Sequence, residues 1–356
     1  MNKERSRNTQ TAPKGALPAA PAGPDDIVWL RAHGGYQQWP VSPLKASFKL
    51  GSATSCDIYL DSPYVSQLHC TLERRGKRLL VSDTGSKNGL YLRERREQTF
   101  EIEAGDAFSV GTISLFAMTE AMQVARPALD YLISYREPRR VDDLMVLGVR
   151  DEPVLLIGEA RCAQARIAEL LHSIGPRRGR AFGELGDLAG AAEQNRRLKT
   201  LGGGTVFVDL TLPAIKREGI SAAIFSPSFG LRVVARADDA EQAARALGAE
   251  GYARFGQCVV APVRQRRDEL ARMIDYALVA ARHPLGAVDL GERNVTALAA
   301  LDWPDNIEEL ESTIDRIGLV LAQPSDRKAA EALGVAPSTL QRRLDRRNLV
   351  LTRPRW

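Results

Sequence analysis

Leu60-Asp61-Ser62-Pro63-Tyr64-Val65-Ser66-Gln67-Leu68-His69-Cys70 and Asp83-Thr84-Gly85-Ser86-Lys87-Asn88-Gly89-Leu90-Tyr91 are the two stretches on which the reading of this chain turns. Both are rich in turn residues and bounded by short apolar runs. Such runs recur over residues 27–32, 48–50, 57–60, 69–74, 78–83, 89–93, 100–102, 107–110 and 112–119. Short strands at this spacing, with turn signals between them, predict an all-β sandwich over residues 27–122. Loops at one end of a sandwich are where binding residues collect. Gly89 suits a turn that needs positive φ.

The joint pattern of Ser66, His69, Asn88 and Gly89 resembles the forkhead-associated (FHA) domain, a β-sandwich that reads phosphothreonine peptides. The resemblance implies that Ser66 bonds the phosphate, that His69 braces the loop from behind, and that Asn88 holds the peptide main chain. Ser86 and Lys87 lie on the same loop, where Lys87 adds a cation. One departure stands out. The family's early Gly-Arg, whose arginine donates to the phosphopeptide, is Gly51-Ser52 here, and the often basic position after the binding serine is Gln67. Losing one charge-assisted bond costs about 1.5–3 kcal/mol, or about ten- to a hundredfold in affinity. The candidate phosphopeptide residues are therefore Ser52, Ser66, Gln67, Ser86, Lys87 and Asn88. Two readings stay open: a phosphothreonine reader, and a sandwich that docks a partner without phosphate.

A length of 356 residues, 44% of them hydrophobic, suggests two or three domains with real cores. Residues 1–26 are rich in Pro, Ala, Gly and polar residues and read as a disordered arm. No run of eighteen apolar residues and no N-terminal apolar core occur, so neither a membrane span nor a signal peptide is expected. Cys56, Cys70, Cys162 and Cys258 form no Cys-x-x-Cys pair, and His33, His69, His172 and His283 are scattered. A reduced cytoplasm fits this usage, and neither a metal site nor a cofactor is expected.

After a linker expected at residues 123–140, the pattern changes at residue 141. Val154-Leu155-Leu156-Ile157, Val206-Phe207-Val208-Asp209, Leu231-Arg232-Val233-Val234-Ala235 and Cys258-Val259-Val260 read as buried parallel strands alternating with helices, an α/β doubly wound sheet. Ile167, Leu170, Leu171 and Ile174 share one helical face. A helical lid is expected over residues 263–323. Its helix carries Ile307, Leu310, Ile314, Ile317 and Leu321 at spacings of three and four, with Asp305 and Glu308 as a capping box.

Taken in order, these segments resemble the AAA+ ATPase domain of bacterial activators that work with sigma-54 polymerase. Gly203-Gly204-Thr205-Val206-Phe207-Val208-Asp209, Ala261-Pro262-Val263-Arg264-Gln265-Arg266 and Trp303-Pro304-Asp305-Asn306-Ile307-Glu308-Glu309-Leu310 carry the likeness, which covers about half the chain. A phosphate-binding loop needs glycines for close backbone approach and a lysine for the β- and γ-phosphates. Here the loop is Gly158-Glu159-Ala160-Arg161-Cys162-Ala163-Gln164-Ala165, with Ala163 for the second glycine and Gln164 for the lysine. Leu210 replaces the acid expected after Asp209, and Glu308 stands where the family has its lid arginine. The family's sigma-54-contacting loop has no counterpart between Phe182 and Gly203. Together the losses predict no hydrolysis, no catalytic residues, and a platform for assembly.

Residues 324–356 close the chain. Between Asp326 and Trp356 eight basic residues face three acidic ones, a surplus equal to the net charge of +5 carried by the whole chain. That balance suggests a polyanion partner. Ser325 or Asp326 caps one expected helix, Gly334 ends it, and Pro337 opens another that presents Leu340 and Leu344 inward. The wording Ala329-Ala330-Glu331-Ala332-Leu333-Gly334-Val335-Ala336-Pro337-Ser338-Thr339-Leu340-Gln341-Arg342-Arg343-Leu344 is similar to the Fis-type helix-turn-helix that ends sigma-54 activators. The likeness implies base contacts from Ser338, Thr339 and Arg342, and phosphate contacts from Arg343, Arg346 and Arg347. Gln341 lies on the same outer face.

The fold class expected is thus multidomain: an all-β FHA sandwich (27–122), an α/β AAA+-like parallel sheet (141–262) with its helical lid (263–323), and a small α helix-turn-helix (324–356). The function expected is a non-catalytic cytoplasmic bacterial transcriptional regulator. Its partners are DNA, a protein read through the sandwich, and a second copy of itself held through the middle domain. The alternative is a phosphodependent adaptor with vestigial ATPase and DNA modules. A live ATPase with an unorthodox loop is the third reading.

Overall fold

In the computed structural model, residues 23–352 are described. Most of the expected arm, residues 1–22, lies outside the described residues, as do Arg353 and Arg355 of the basic tail. Residues 23–26 form a turn, in which Asp26 N donates to Gly23 O at 3.0 Å.

Eleven strands build the first unit: β1 (Trp29–Ala32), β2 (Gln38–Pro40), β3 (Ser47–Gly51), β4 (Ile58–Tyr59), β5 (Cys70–Arg75), β6 (Arg78–Asp83), β7 (Leu90–Leu92), β8 (Arg95–Glu97), β9 (Thr99–Ile102), β10 (Ala107–Val110) and β11 (Ile113–Met118). They form two sheets, ordered β2-β1-β11-β10-β7-β8 and β4-β3-β5-β6-β9. Alternate side chains of each strand point inward. Leu30, Leu50, Ile58, Leu72, Val81, Ile102, Phe108 and Leu115 thereby fill one core between the sheets.

β11 is buried on both faces. Leu115 and Ala117 enter the sandwich core, while Phe116 and Met118 enter a second core on the other side. That second core corrects the linker expected at 123–140. The chain there forms α1 (Glu120–Leu132), a tight turn, and the start of α2 (Pro138–Val149). Thr119 caps α1 by accepting from Met122 N at 3.3 Å. The stripe Met122, Ala125, Leu129 and Leu132 is buried against Phe116 and Met118. The apolar outer face of β11 demands a cover, and α1 supplies it. Polar contacts fasten the same junction: Gly34 N donates to Asp142 at 2.7 Å, and Arg150 to Asp106 at 3.1 Å.

The next unit contains β12 (Val154–Ile157), α3 (Gln164–Ile174), β13 (Phe182–Glu184), α4 (Ala191–Thr200), β14 (Thr205–Asp209), α5 (Pro213–Glu218), β15 (Arg232–Ala237), α6 (Ala240–Tyr252) and β16 (Gly256–Val259). The strands are parallel and ordered β13-β14-β15-β12-β16. The first strand therefore lies between the fourth and the fifth. A reversal of strand order of this kind opens a crevice at the carboxyl ends of the strands.

The lid follows as α7 (Leu270–Ala280), α8 (Ala287–Leu290), α9 (Glu292–Ala299) and α10 (Asn306–Ala322). Two short 3-10 turns, at residues 263–265 and 267–269, precede α7. Ile307, Leu310, Ile314, Ile317 and Leu321 are buried, as their spacing requires. The capping box expected between Asp305 and Glu308 does not form. The Asp305 carboxylate pairs instead with Arg161, and Glu309 reaches back to Asp305 N at 3.4 Å.

Two helices end the described chain, α11 (Asp326–Ala332) and α12 (Pro337–Arg346). Ser325 accepts from Lys328 N at 3.3 Å, Gly334 turns with φ +64, and Leu340 is buried against Val320, Ala329 and Ala330. The irregular segment beyond α12 folds back onto the lid. Val350 exchanges two 2.8 Å bonds with the Asn294 side chain, and Leu349 is buried.

Candidate functional site

At one end of the sandwich the two opening stretches meet. His69 is fully buried at their junction. Its Nδ1 accepts from Ser66 N at 3.1 Å, which assigns the ring proton to Nε2, where it donates to Gly89 O at 3.0 Å. One imidazole thus ties both loops together. Asp83 shapes the second loop from within, accepting from Gly85 N at 3.0 Å, Ser86 N at 2.7 Å and Ser86 Oγ at 3.1 Å. Gly85 and Gly89 take φ of +87 and +75, which only glycine adopts without strain. The loops also join directly: Asn88 Nδ2 donates to Tyr64 O at 2.8 Å, and Lys87 N donates to Ser66 Oγ at 3.1 Å. The Ser66 hydroxyl therefore keeps its own proton for an incoming acceptor.

Ser66, Lys87 and Asn88 lie together at this junction, with the Asn88 amide nitrogen on Tyr64 O. Ser86 is not available to a ligand: it is 8% exposed, and its hydroxyl donates to Asp83 and accepts from Gly89 N at 3.0 Å. Ser52 is turned inward, donating to Val65 O at 2.8 Å. Gln67 is exposed, and its carbonyl serves Ala53 N at 3.1 Å.

Sequence reasoning missed Arg96. A Cβ built on Gly89 would stand 2.5 Å from Arg96 Nε and 3.0 Å from its Cζ, so the guanidinium lies directly over the binding loop. Neither Arg96 nor Lys87 makes a side-chain ion pair or hydrogen bond among the described residues. Arg96 arrives there on β8, paired opposite Tyr91 of β7. The connecting turn places Arg93 and Glu94 at φ +51 and +67. Such positions usually carry Asn or Gly, and with neither present the hairpin left no sequence signal.

A second concave region, about 300 Å3, sits at the carboxyl ends of the parallel strands. Arg161, Gln164, Asp209, Arg236 and Glu308 line it. Arg161 and Ala163 carry left-handed φ of +62 and +59, and Gln164 closes the loop by donating to Glu159 O at 2.6 Å. Arg236 is buried and reaches across the crevice. It donates to both Asp209 oxygens at 3.0 and 3.3 Å, to Gly158 O at 3.2 Å and to Asp238 at 2.6 Å. A guanidinium thus neutralises the acid that ends β14. The loop is also fastened to the lid. Asn306 Nδ2 donates to Ala160 O at 3.0 Å, Arg161 pairs with Asp305, and Arg264 pairs with Glu159. The bonds from Arg264 hold the Glu159 carboxyl below the usual range.

On α12, Ser338, Arg342 and Arg346 are exposed at intervals of four, one stripe along the helix. Thr339 is half-buried and Arg343 exposed. Gln341 bonds Asp345 at 2.9 Å. Arg347 is drawn back to the lid by Glu309 at 3.4 Å, away from the expected outer face. Among the described residues no group of His, Cys, Asp or Glu could hold a metal ion, and no helix is long and apolar enough to cross a membrane.

Residues 48–111 match the FHA domain family. No curated protein matches the chain. Among solved structures it is similar in part to EmbR from Mycobacterium tuberculosis in complex with a low-affinity phosphopeptide. That similarity is 21% identity over 26% of this chain and 24% of that one, with a TM-score of 0.25. An FHA domain from Chlamydia trachomatis is 23% identical over 25% of this chain and 94% of its own, with a TM-score of 0.24. NtrX from Brucella abortus, in complex with ADP, is 11% identical over 59% of this chain and 68% of its own, with a TM-score of 0.43. The chain spans about a quarter of the length of EmbR, at 24%.

Proposed function

We propose that this chain is a non-catalytic regulator that reads phosphothreonine in a protein partner through the sandwich loops and binds DNA through α12. The observation that carries the reading is the loop cluster itself. A free Ser66 hydroxyl, with the unpaired cations Lys87 and Arg96 beside it, suits a dianionic phosphate. Arg96 takes the place of the arginine absent at Ser52. Ser66 donates one bond, Arg96 supplies the charge-assisted one, and His69 holds the loop in register behind them.

The test is titration of a phosphothreonine peptide library against the full chain, with the unphosphorylated library as control. Arg96→Ala should weaken the selected phosphopeptide about ten- to a hundredfold, as should Ser66→Ala. Equal binding of phosphorylated and plain peptides would reduce the sandwich to a phosphate-independent docking module.

The middle unit is read as a degenerate AAA+ platform. Arg236 on Asp209, and Gln164 on the loop, occupy the places where nucleotide chemistry needs an open acid and a lysine. In this reading it assembles two copies and sets the distance between their α12 helices. For the DNA limb, the stripe Ser338, Arg342 and Arg346 supports major-groove docking. Genomic fragments selected at physiological salt should converge on a few related, near-palindromic sites. Full-length Arg342→Ala should lose the selected sites, and full-length Arg346→Ala should bind them more weakly with a salt slope shallower by about one. Failure to select any site would favour the adaptor reading, with a cytoplasmic phosphoprotein as its partner.

A further inference from the structure

An open cleft of about 610 Å3 lies where the sandwich meets α1 and α7. Arg31, Tyr36, Gln123, Arg126, Pro127 and Tyr276 are among its walls. Arg31, on β1, is 5% exposed, yet its guanidinium makes no hydrogen bond among the described residues, and Nε is wholly without a partner. The guanidinium carbon lies 5.5 Å from the centroid of the Tyr36 ring.

The carboxylates nearby are already engaged. Arg126 binds Asp130 at 2.8 Å and also pairs with Asp142, whose other oxygen accepts from Gly34 N. Burial, and then the charge of Arg126, hold Arg31 below the ordinary arginine value. On the opposite wall Gln123 Oε1 is a buried acceptor with no donor. Pro127, in the middle of α1, offers no N–H to the Gln123 carbonyl four residues back. Asp130 and Asp142 offset the charge of Arg31 without bonding it, and a buried guanidinium that lacks hydrogen bonds is costly. Arg31 lines a cavity shared with Tyr36, Tyr135 and Tyr276, with Arg272 6.0 Å from the Tyr36 ring centroid and 5.8 Å from that of Tyr135.

We infer that this cleft binds a small aromatic anion, its carboxylate or phosphate on Arg31 and its ring against Tyr36 and Tyr276. Because one wall belongs to the sandwich and the other to α1 and α7, such a ligand bridges the two units. The inference is independent of the phosphopeptide loops, which lie on a different part of the sandwich.

Calorimetric titration of the full chain with 4-hydroxybenzoate and with phenyl phosphate tests it, with 4-hydroxybenzyl alcohol as the neutral control. At least one anion should saturate a single site, and which one does so tells carboxylate from phosphate. The alcohol should not bind. Arg31→Met should weaken the anion about tenfold or more. Its unliganded thermal unfolding is recorded alongside, so that lost binding is told from lost folding. The inference is overturned if neither anion binds, if the alcohol binds as well, or if folded Arg31→Met binds like the parent.

Discussion

Arg266→Ala should destabilise the folded chain by about 3–5 kcal/mol, the range for breaking a buried ion pair from one side. Arg266 and Glu269 are 4% and 5% exposed. The guanidinium donates to Glu269 Oε2 at 2.9 and 2.7 Å, to Tyr131 O at 2.8 Å and to Leu132 O at 3.2 Å. Glu269 in turn accepts from Ser134 Oγ at 2.5 Å and Arg136 N at 3.1 Å. The cluster therefore joins the start of the lid to the turn after α1. Alanine takes the Arg266 donors from Glu269 Oε2 and from the Asp130, Tyr131 and Leu132 carbonyls, and leaves the buried carboxylate without its counter-charge. Thermal unfolding should shift down by on the order of 10 °C.

The acid side of the pH profile gives a second check. Burial pushes the Glu269 carboxyl up, but the bonds from Ser134 and Arg266 outweigh it and hold the group below its ordinary value. A carboxyl depressed in the folded state contributes stability above its unfolded pKa and loses it as pH falls through the folded one. Without Arg266 burial dominates, and Glu269 takes up its proton at higher pH. The deficit of the variant should thus be full at neutral pH and narrow as the pH drops through the carboxylate range. A deficit of under 1 kcal/mol at neutral pH would show that the cluster does not hold lid and body together.

His69→Ala should cost about 2–4 kcal/mol, through a cavity and an orphaned backbone group. The half-buried Ser66 N–H loses its acceptor, while Gly89 C=O loses one of two donors and keeps Gly111 N at 3.2 Å. The two loops then part, and Ser66 no longer stands beside Lys87 and Arg96. Phosphopeptide affinity should fall at least tenfold even though His69 touches no ligand. Chemical denaturation and peptide titration on one preparation separate the two effects. Unchanged affinity would show that the Asn88–Tyr64 and Lys87–Ser66 bonds hold the loops without His69.

The sandwich was legible because its two loops carry side chains that only this junction brings together. Asp83 is a local signal, within three residues of the groups it braces, while His69 pairs with Ser66 close by and with Gly89 in the second quoted stretch. Arg96 was hidden by a turn built from Arg93 and Glu94, which does not announce itself as a hairpin. The linker error has a similar origin. Leu115-Phe116-Ala117-Met118 is an unbroken apolar run, the mark of a strand covered on both faces. Once that is seen, the stripe of α1 follows as its cover. Arg236 lay beyond reach, since nothing local says that a basic side chain on β15 will close over the end of β14. Arg31 was equally hidden, its isolation being a property of what Arg126 does with Asp130 and Asp142.

The clamp between Asn294 and Val350, with Leu349 beneath it, has a dynamic consequence. It removes the swivel that a terminal pair of helices would otherwise have. With both bonds in place, α11 and α12 should reorient with the lid rather than as a separately tethered piece. A rotation of the lid should then carry the exposed stripe of α12 along with it.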